Sequence, residues 1–277
     1  MKLLLILIKI MTEDLFYKIE GSGIPVLLIH GFTGSHKSFE KVSSFLSSRF
    51  KVITVDMIGH GQSMNYEGKN YTFDRSINDL NKILDTLSIK KINLIGYSLG
   101  GRLAMQFALR NTDKLSSLII CSASYGIEKK EDRENRLLSD KKIVSMLQNK
   151  PIETFVKYWK NLDIWDSEKN LSVEKRNKIN QIRLSQNKIG LALNLIYQGQ
   201  GTQEFIGNKL KKIKIKSLIM YGSNDTKYKE ISNEISKEIE NSKLLMVPNS
   251  GHNIILENPI FVAQEIKKFV LGEINGN

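Results

Sequence analysis

The stretch INLIGYSLGGRLAM, residues 92–105, constrains the fold of this chain more than any other segment. An apolar run typical of a buried strand leads into G-Y-S-L-G at residues 96–100, and a helical pattern leaves it. Glycine on both sides of a serine permits a tight turn from strand to helix. Such a turn holds Ser98 in a strained conformation at the strand's tip. A small-residue turn made only for close packing is the less favoured interpretation.

Short apolar runs alternate with amphipathic stretches along most of the chain. Buried strands are predicted for VLLIHG, KVITVDM, INLIGYS, LSSLIICSA, SLIMYG and KLLMVPNSG, with a leading strand over residues 16–20. Thr72 is a predicted N-cap for a helix whose apolar face carries Ile77, Leu80, Ile83, Leu84 and Leu87. Pro259 suits the first turn of a last helix. Alternating strands and helices predict an α/β fold with a mostly parallel sheet covered on both faces.

The alternation stops between residues 124 and 205, where no strand-like run occurs. Charged helical stretches such as EKKEDRENRLLSDKKIVSML and SVEKRNKINQIRLSQNKIGLALNLIYQG replace it. We interpret residues 124–205 as an all-helical lid inserted into a core domain. The core then comprises residues 11–123 and 206–277.

The first ten residues, MKLLLILIKI, have two interpretations. They are either a true first strand or a non-native extension upstream of a start at Met11, and the leading strand over residues 16–20 favours the second. The apolar run is far too short to span a bilayer, and no small-residue cleavage site follows it. With no other membrane-like segment, we expect a cytoplasmic protein.

Composition narrows the classes of partner. The net charge is +12, but the lysines are scattered instead of clustered with aromatics, which disfavours nucleic acid. The positive field could still speed the arrival of an anionic small molecule. The single cysteine, Cys121, excludes a disulfide within the chain, as expected in a reducing compartment. With no metal-ligand cluster or dinucleotide fingerprint in the sequence, we expect neither a metal nor a cofactor.

A catalytic triad can be assigned in the order serine, aspartate, histidine. Asp225 in MYGSNDTKY and His252 in VPNSGHNIILENP each follow a predicted strand, so both should lie at the same sheet edge as Ser98. His252 would accept a proton from Ser98, and Asp225 would fix the histidine tautomer. His30 and His60 lie in glycine turns and are expected to make structural hydrogen bonds.

Two backbone N–H groups are candidates for an oxyanion hole. Phe32, in the loop IHGFTGS after a strand, and Leu99, directly after the serine, occupy the positions from which such donors come.

Arg102 lies on the first helical turn after the serine, where a triad needs no cation. The lid adds Arg133, Arg136 and Arg183; the first suits a solvated helix face, and spacing leaves the direction of the other two open. If Arg102 and the lid arginines converge, they form a pocket for a substrate with several carboxylates. Trp159 and Tyr97 are candidate apolar walls, with lid core and turn packing as their alternatives.

Several segments together resemble one family, the 2-succinyl-6-hydroxy-2,4-cyclohexadiene-1-carboxylate (SHCHC) synthases of menaquinone and phylloquinone biosynthesis, which have the α/β-hydrolase fold. The segments are HGFTGS, DMIGHGQS, GYSLGGRLAM, EDRENRLLSD, FVKYW, IRLSQNKIGLALNL, YGSNDTKY and SGHNIILENP. The similarity runs from about residue 16 onward. Ile58 departs from it, because related chains carry proline there, and Lys227 matches a recurring position without an assigned role.

The resemblance implies a lyase that eliminates pyruvate from 2-succinyl-5-enolpyruvyl-6-hydroxy-3-cyclohexene-1-carboxylate. It implies that Ser98, activated by His252 and Asp225, removes a ring proton. Carried over residue by residue, it implies a substrate site made of Arg102, Arg136, Arg183, Trp159 and Tyr97.

Two rival functions remain beside the lyase. A serine hydrolase acting on an acidic ester or a carbon–carbon bond would share the fold and triad, and would form an acyl-serine. A binding protein that kept the fold and lost catalysis is disfavoured by the intact triad.

Overall fold

The computed structural model describes residues 15–63 and 71–273. The extension predicted over residues 1–10 and the alternative start at Met11 lie outside the described residues.

The strands form one seven-stranded sheet in the order β1-β3-β2-β4-β5-β6-β7. Their bounds are β1 Tyr17–Glu20, β2 Ile24–Ile29, β3 Phe50–Val55, β4 Ile92–Tyr97, β5 Leu115–Cys121, β6 Ser217–Gly222 and β7 Ser242–Val247. Among these seven described strands, β1 pairs with β3 in the antiparallel sense, and the other neighbouring strands pair in parallel. The mostly parallel sheet predicted from the alternating pattern is confirmed.

Ten α-helices are formed by the described residues. Their bounds are α1 Glu40–Leu46, α2 Phe73–Thr86, α3 Leu99–Arg110, α4 Lys130–Asn149, α5 Ile152–Trp159, α6 Val173–Leu184, α7 Lys188–Gln198, α8 Thr226–Glu238, α9 Ile254–Glu257 and α10 Pro259–Leu271. One apolar layer packs α2, α3 and α8 against the sheet, and a second packs α1, α9 and α10 against its other face. The helices therefore cover both faces, as buried parallel strands require.

The helix starts follow local sequence rules. Thr72 caps α2 by accepting a hydrogen bond from the Arg75 N–H, and Pro259 is the first residue of α10. The apolar face predicted for α2 is buried against the sheet, with Ile77, Leu80 and Ile83 all in the core.

Helices α4 to α7, with a 3-10 segment over Asp163–Asn170, occupy the stretch between β5 and β6. Their shared core includes Phe155, Trp159, Trp165 and Leu191. Helix α7 is pressed against the loop after β3, where a Cβ on Gly190 would lie 2.4 Å from the Gly59 carbonyl oxygen. The division at residues 124 and 205 stays a prediction, since these helices alone do not define a domain boundary.

In the described part of the chain, no helix combines the length and the apolar character needed to cross a membrane.

We expect Gly190→Ala to lower the free energy of unfolding by about 1–3 kcal/mol, because the new methyl group overpacks the backbone contact that docks α7. Urea unfolding followed by circular dichroism measures the change. Ile189→Ala, at the exposed neighbouring position, is the matched control and should change stability by at most about 0.5 kcal/mol. Equal stability of Gly190→Ala and the wild type would contradict the packing argument.

Candidate active site

Ser98 lies at the corner between β4 and α3 with a left-handed backbone, φ +51°. Glycine is required on both sides of it. A Cβ on Gly96 would lie 2.3 Å from the Gly100 carbonyl oxygen, and one on Gly100 would lie 2.2 Å from the Ile29 carbonyl oxygen. A positive φ at a non-glycine residue is costly and persists where the surroundings enforce it. The strained serine predicted from the G-Y-S-L-G motif is what the structure contains.

His252 contacts both other members of the predicted triad. Its Nε2 lies 3.0 Å from Ser98 Oγ, and its Nδ1 lies 3.1 Å from Asp225 Oδ2. Asp225 also caps α8, because its Oδ1 accepts from the Tyr228 N–H at 3.0 Å. His252 and Asp225 are buried, so water competes little for these hydrogen bonds. This arrangement can move a proton from a serine hydroxyl to a histidine whose tautomer is fixed by a carboxylate.

Aromatic rings enclose His252. Tyr228 lies 4.3 Å away between ring centroids, Trp165 lies 5.4 Å away edge-on, and Tyr97 lies 5.5 Å away. Tyr228 is buried, and burial raises the pKa of its hydroxyl, which therefore keeps its proton at neutral pH.

A cavity of about 440 Å³ opens beside Ser98 and His252 between the sheet edge and the lid. Its walls combine aromatic, amide and charged side chains, including Phe32, Tyr97, Leu99, Arg102, Arg136, Asp140, Lys142, Tyr158, Trp159, Trp165, Asn194, Gln198, Gln200 and Tyr228. The volume suits a small molecule. Its mixed lining suits a ligand with an apolar ring and anionic groups.

Phe32 and Leu99 both line this cavity next to Ser98. Leu99 is the first residue of α3, so its N–H has no carbonyl one turn earlier to bond. The N-terminus of a helix also carries a partial positive charge. These positions suit stabilisation of a developing oxyanion, a role that stays a prediction.

Arg102 lines the cavity from within the core, and its side chain is held in place. Its Nη1 donates to the Gln198 carbonyl oxygen at 2.7 Å and to Gln203 Oε1 at 2.8 Å. Burial, and then the nearby Arg136, lower the pKa of Arg102 to about 10, so the guanidinium remains charged at neutral pH. Within residues 15–63 and 71–273, its other N–H groups donate to no protein acceptor, so they can bind an anion.

Arg136 reaches the same cavity from α4. Its Nε donates to Asp140 Oδ1 at 2.7 Å, and its Nη1 donates to Gln200 Oε1. The charged residues that line the described cavity are three cations, Arg102, Arg136 and Lys142, and one carboxylate, Asp140. This excess of cations favours an anionic ligand.

Arg183 does not reach this cavity. It is buried on α6, where its two terminal nitrogens donate to the two carboxylate oxygens of Glu168, each at 2.8 Å. The expected convergence of three arginines is therefore met by Arg102 and Arg136 alone. The direction of Arg183 follows from the docking of α6, which the spacing of arginines in the sequence does not encode.

Trp159 and Tyr97 each pack in the protein core and also form part of the cavity wall, the two alternatives that the sequence left open. Trp159 packs with Phe155 and Trp165 in the lid core and also lines the cavity. Tyr97 packs under Gly31, where a Cβ would lie 2.9 Å from the tyrosine ring, and it also lines the cavity.

Sequence reasoning missed the amide and phenol groups beside the arginines. Gln200 Nε2 donates to the Tyr228 hydroxyl oxygen at 3.0 Å, and Gln198 and Gln203 hold Arg102. The run QGQGTQ at residues 198–203 carried a usable signal, because it concentrates three amide side chains whose oxygens can accept from a guanidinium.

His30 and His60 make the structural contacts expected of them. His30 Nε2 accepts from the Met57 N–H at 3.0 Å, which ties the loop after β2 to the loop after β3. His60 Nδ1 lies 3.2 Å from the Ile58 carbonyl oxygen, and its ring contacts those of His30 and Phe32. Both histidines therefore support the loop that carries Phe32.

Within the described ranges, no three His, Cys, Asp or Glu side chains lie together as a metal site would require. The expectation of no metal or cofactor stays a prediction.

Comparison with known proteins gives consistent matches. Residues 24–259 match the family described as having the alpha/beta hydrolase fold. A Bacillus subtilis (strain 168) protein, provisionally named 2-succinyl-6-hydroxy-2,4-cyclohexadiene-1-carboxylate synthase, is 33% identical over 88% of this chain and 89% of its own length. An Escherichia fergusonii synthase of that name is 26% identical over 90% of this chain and 94% of its own length.

A solved structure, described as that of MenH from S. aureus, has the same fold. It superposes with a TM-score of 0.87 and 32% sequence identity, covering 94% of this chain and 99% of the other.

The buried His60 predicts a pH dependence of stability. Burial lowers the pKa of His60 to about 3, whereas the unfolded chain binds this proton near pH 6.5. Below pH 6.5 the unfolded state therefore binds more protons, and the free energy of unfolding falls by about 1.4 kcal/mol per pH unit. We expect His60→Gln to remove this contribution, so its urea-unfolding free energy should fall less steeply between pH 6.5 and 5 than that of the wild type. Equal slopes in the two proteins would disprove the assignment.

Proposed function

This chain belongs to the α/β-hydrolase fold family and, within it, to the SHCHC synthases, and from that premise we propose how its triad and arginines carry out the reaction. The enzyme is a lyase of quinone biosynthesis that releases pyruvate from 2-succinyl-5-enolpyruvyl-6-hydroxy-3-cyclohexene-1-carboxylate. Its partner is this small-molecule substrate.

The chemical change follows from the structures of substrate and product. A ring with one double bond at C3 becomes a 2,4-diene, so a proton leaves C2, the double bonds shift, and the C5–O bond to the enolpyruvyl group breaks. The C2 proton is acidic because the succinyl ketone is attached at that carbon. The released enolpyruvate takes up a proton to become pyruvate, and no water is consumed.

Ser98 is the proposed base that removes the C2 proton. As its Oγ takes the substrate proton, the hydroxyl proton passes to His252 Nε2 across the 3.0 Å contact, and Asp225 stabilises the imidazolium. The ketone oxygen becomes an enolate in this step. The backbone N–H groups of Phe32 and Leu99 are the proposed donors that stabilise it, which their position in the cavity lining supports.

Arg102 and Arg136 are the proposed carboxylate ligands. The substrate carries three carboxylates, and both guanidiniums face the cavity that contains Ser98. Holding these carboxylates fixes the ring with its acidic C–H against the serine. The tethers from Arg102 to Gln198 and Gln203 mean that its guanidinium is positioned before substrate arrives. Trp159 and Tyr97 supply apolar surface for the ring.

One observation carries the proposal: a hydrogen-bonded Ser–His–Asp set and two buried or half-buried arginines line one cavity. A water-using hydrolase needs the first feature and has no need of the second. We also propose that the enzyme works in the cytoplasm, where its single buried cysteine stays reduced.

We expect Arg102→Ala to lower kcat/KM for pyruvate release. The loss of transition-state binding should be about 2–5 kcal/mol, because a buried charged contact loses one partner. A coupled lactate dehydrogenase assay measures the release. Arg110→Ala, on the same helix but exposed, is the matched control and should retain near-normal kcat/KM. A near-normal value for Arg102→Ala would overturn its role in binding.

Ser98→Ala tests whether Ser98 is essential, and pre-steady-state measurements on the wild type separate elimination from hydrolysis. Loss of a general base should lower kcat by about 10²–10⁴-fold. Rapid-mixing experiments on the wild type should show pyruvate and diene absorbance rising together without a burst, and mass spectrometry should find no acyl-serine. A burst with a covalent adduct on Ser98 would instead support the hydrolase alternative.

A further inference from the structure

Arg183 and Glu168 form a buried ion pair that lies outside the cavity. Two parallel N–H···O bonds of 2.8 Å join the guanidinium to the carboxylate, and the Trp165 ring lies 4.7 Å from the guanidinium carbon. Arg183 is 3% exposed and Glu168 is 7% exposed. Arg183 does not line the cavity, so to reach a substrate carboxylate there it would have to turn away from Glu168, which would leave an uncompensated buried charge.

Glu168 also contacts the loop that carries His252. Its Oε1 accepts from Asn253 Nδ2 at 2.9 Å, and Asn253 directly follows His252 in the chain. The arginine therefore fixes a carboxylate that in turn holds the neighbour of the triad histidine.

A second carboxylate, that of Glu257, also binds the loop that carries His252. Glu257 accepts from the Gly251 N–H at 2.9 Å and from the Asn253 N–H at 3.2 Å, so it ties the residues on both sides of His252. It also accepts from Ser167 Oγ at 3.0 Å. Ser167 and Glu168 are adjacent in the 3-10 segment Asp163–Asn170, and Trp165 of that segment contacts the His252 ring.

We propose that Arg183 is a positioning residue: with Glu168 it clamps the lid segment Asp163–Asn170 onto the His252 loop and so sets the distance from His252 to Ser98. This inference rests on the proposed role of His252 as the proton acceptor. It replaces substrate binding as the role of Arg183. Displacing a catalytic group by about 1 Å can lower the rate by about 10²-fold. A small shift of this loop would therefore lower kcat.

The test compares Arg183→Ala and Glu168→Gln with the wild type by two readouts. The first is kcat and KM for pyruvate release. The second is the rate at which diisopropyl fluorophosphate, a small uncharged reagent, modifies Ser98, which depends on the Ser98–His252 contact and on no substrate carboxylate. We expect kcat and the labelling rate to fall together by about tenfold or more, with KM changed by less than about threefold.

Two results would overturn the clamp. If KM rises for Arg183→Ala while labelling stays at the wild-type rate, Arg183 binds substrate. If neither readout changes in a folded variant, the pair is only structural. Arg176→Ala is the matched control, because Arg176 lies on the same helix and bonds the Lys169 carbonyl oxygen of the same segment from an exposed position. Its kcat and labelling rate should stay near those of the wild type.

Further variants and controls distinguish loss of the clamp from loss of folding, and from failure of the proposed lyase function. Thermal melts identify unfolded variants; if Arg183→Ala is one, Asn253→Ala removes only the link to Glu168 and should slow labelling likewise. In the double variant Arg183→Ala/Glu168→Gln, a paired action predicts a loss no larger than that of the worse single variant. A wild type that releases no pyruvate, together with slowed labelling in Glu168→Gln, would reject the lyase mechanism and keep the clamp.

Discussion

The close backbone approach at the corner between β4 and α3 is the constraint on which the site depends. Gly100 lets the start of α3 pass against the end of β2, since any side chain there would meet the Ile29 carbonyl oxygen at 2.2 Å. That approach forces Ser98 into its positive-φ conformation and turns its hydroxyl toward His252. It also brings the Leu99 N–H and the loop with Phe32 to the same point. A generic structural feature of the fold thus assembles the serine and the two backbone positions that we propose as oxyanion donors.

In the proposed mechanism, the electrostatics of the cavity decide which chemistry this corner performs. Arg102 and Arg136 are held by amide groups and by one carboxylate, so the guanidiniums are fixed in position without being fully neutralised. Pre-positioned cations favour a polyanionic ring that must lie still while a C–H bond is broken. The same triad without them would serve a hydrolase equally well.

Two arginines of the lid helices contact different parts of the site. Arg136 on α4 faces the cavity, whereas Arg183 on α6 faces Glu168 and the loop of His252. The lid helices thus contact both the cavity and the loop of His252, and in our proposal the second contact aligns the proton acceptor. That proposal gives these helices a role beyond covering the site.

The sequence by itself determined the sheet, the helix starts and the order of the triad, because these follow from local apolar periodicity, capping residues and the rule that parallel strands end at one edge. It also marked Arg102, whose position is set within one turn of Ser98. Only the tertiary structure decided that Arg136 lines the cavity and Arg183 does not. It also revealed that Gln200 contacts both Arg136 and Tyr228, and that Glu168 pairs with Arg183. Their roles depend on how the lid helices dock, which is fixed by contacts between residues distant in the chain, such as Gly59 with Gly190, that no local pattern records.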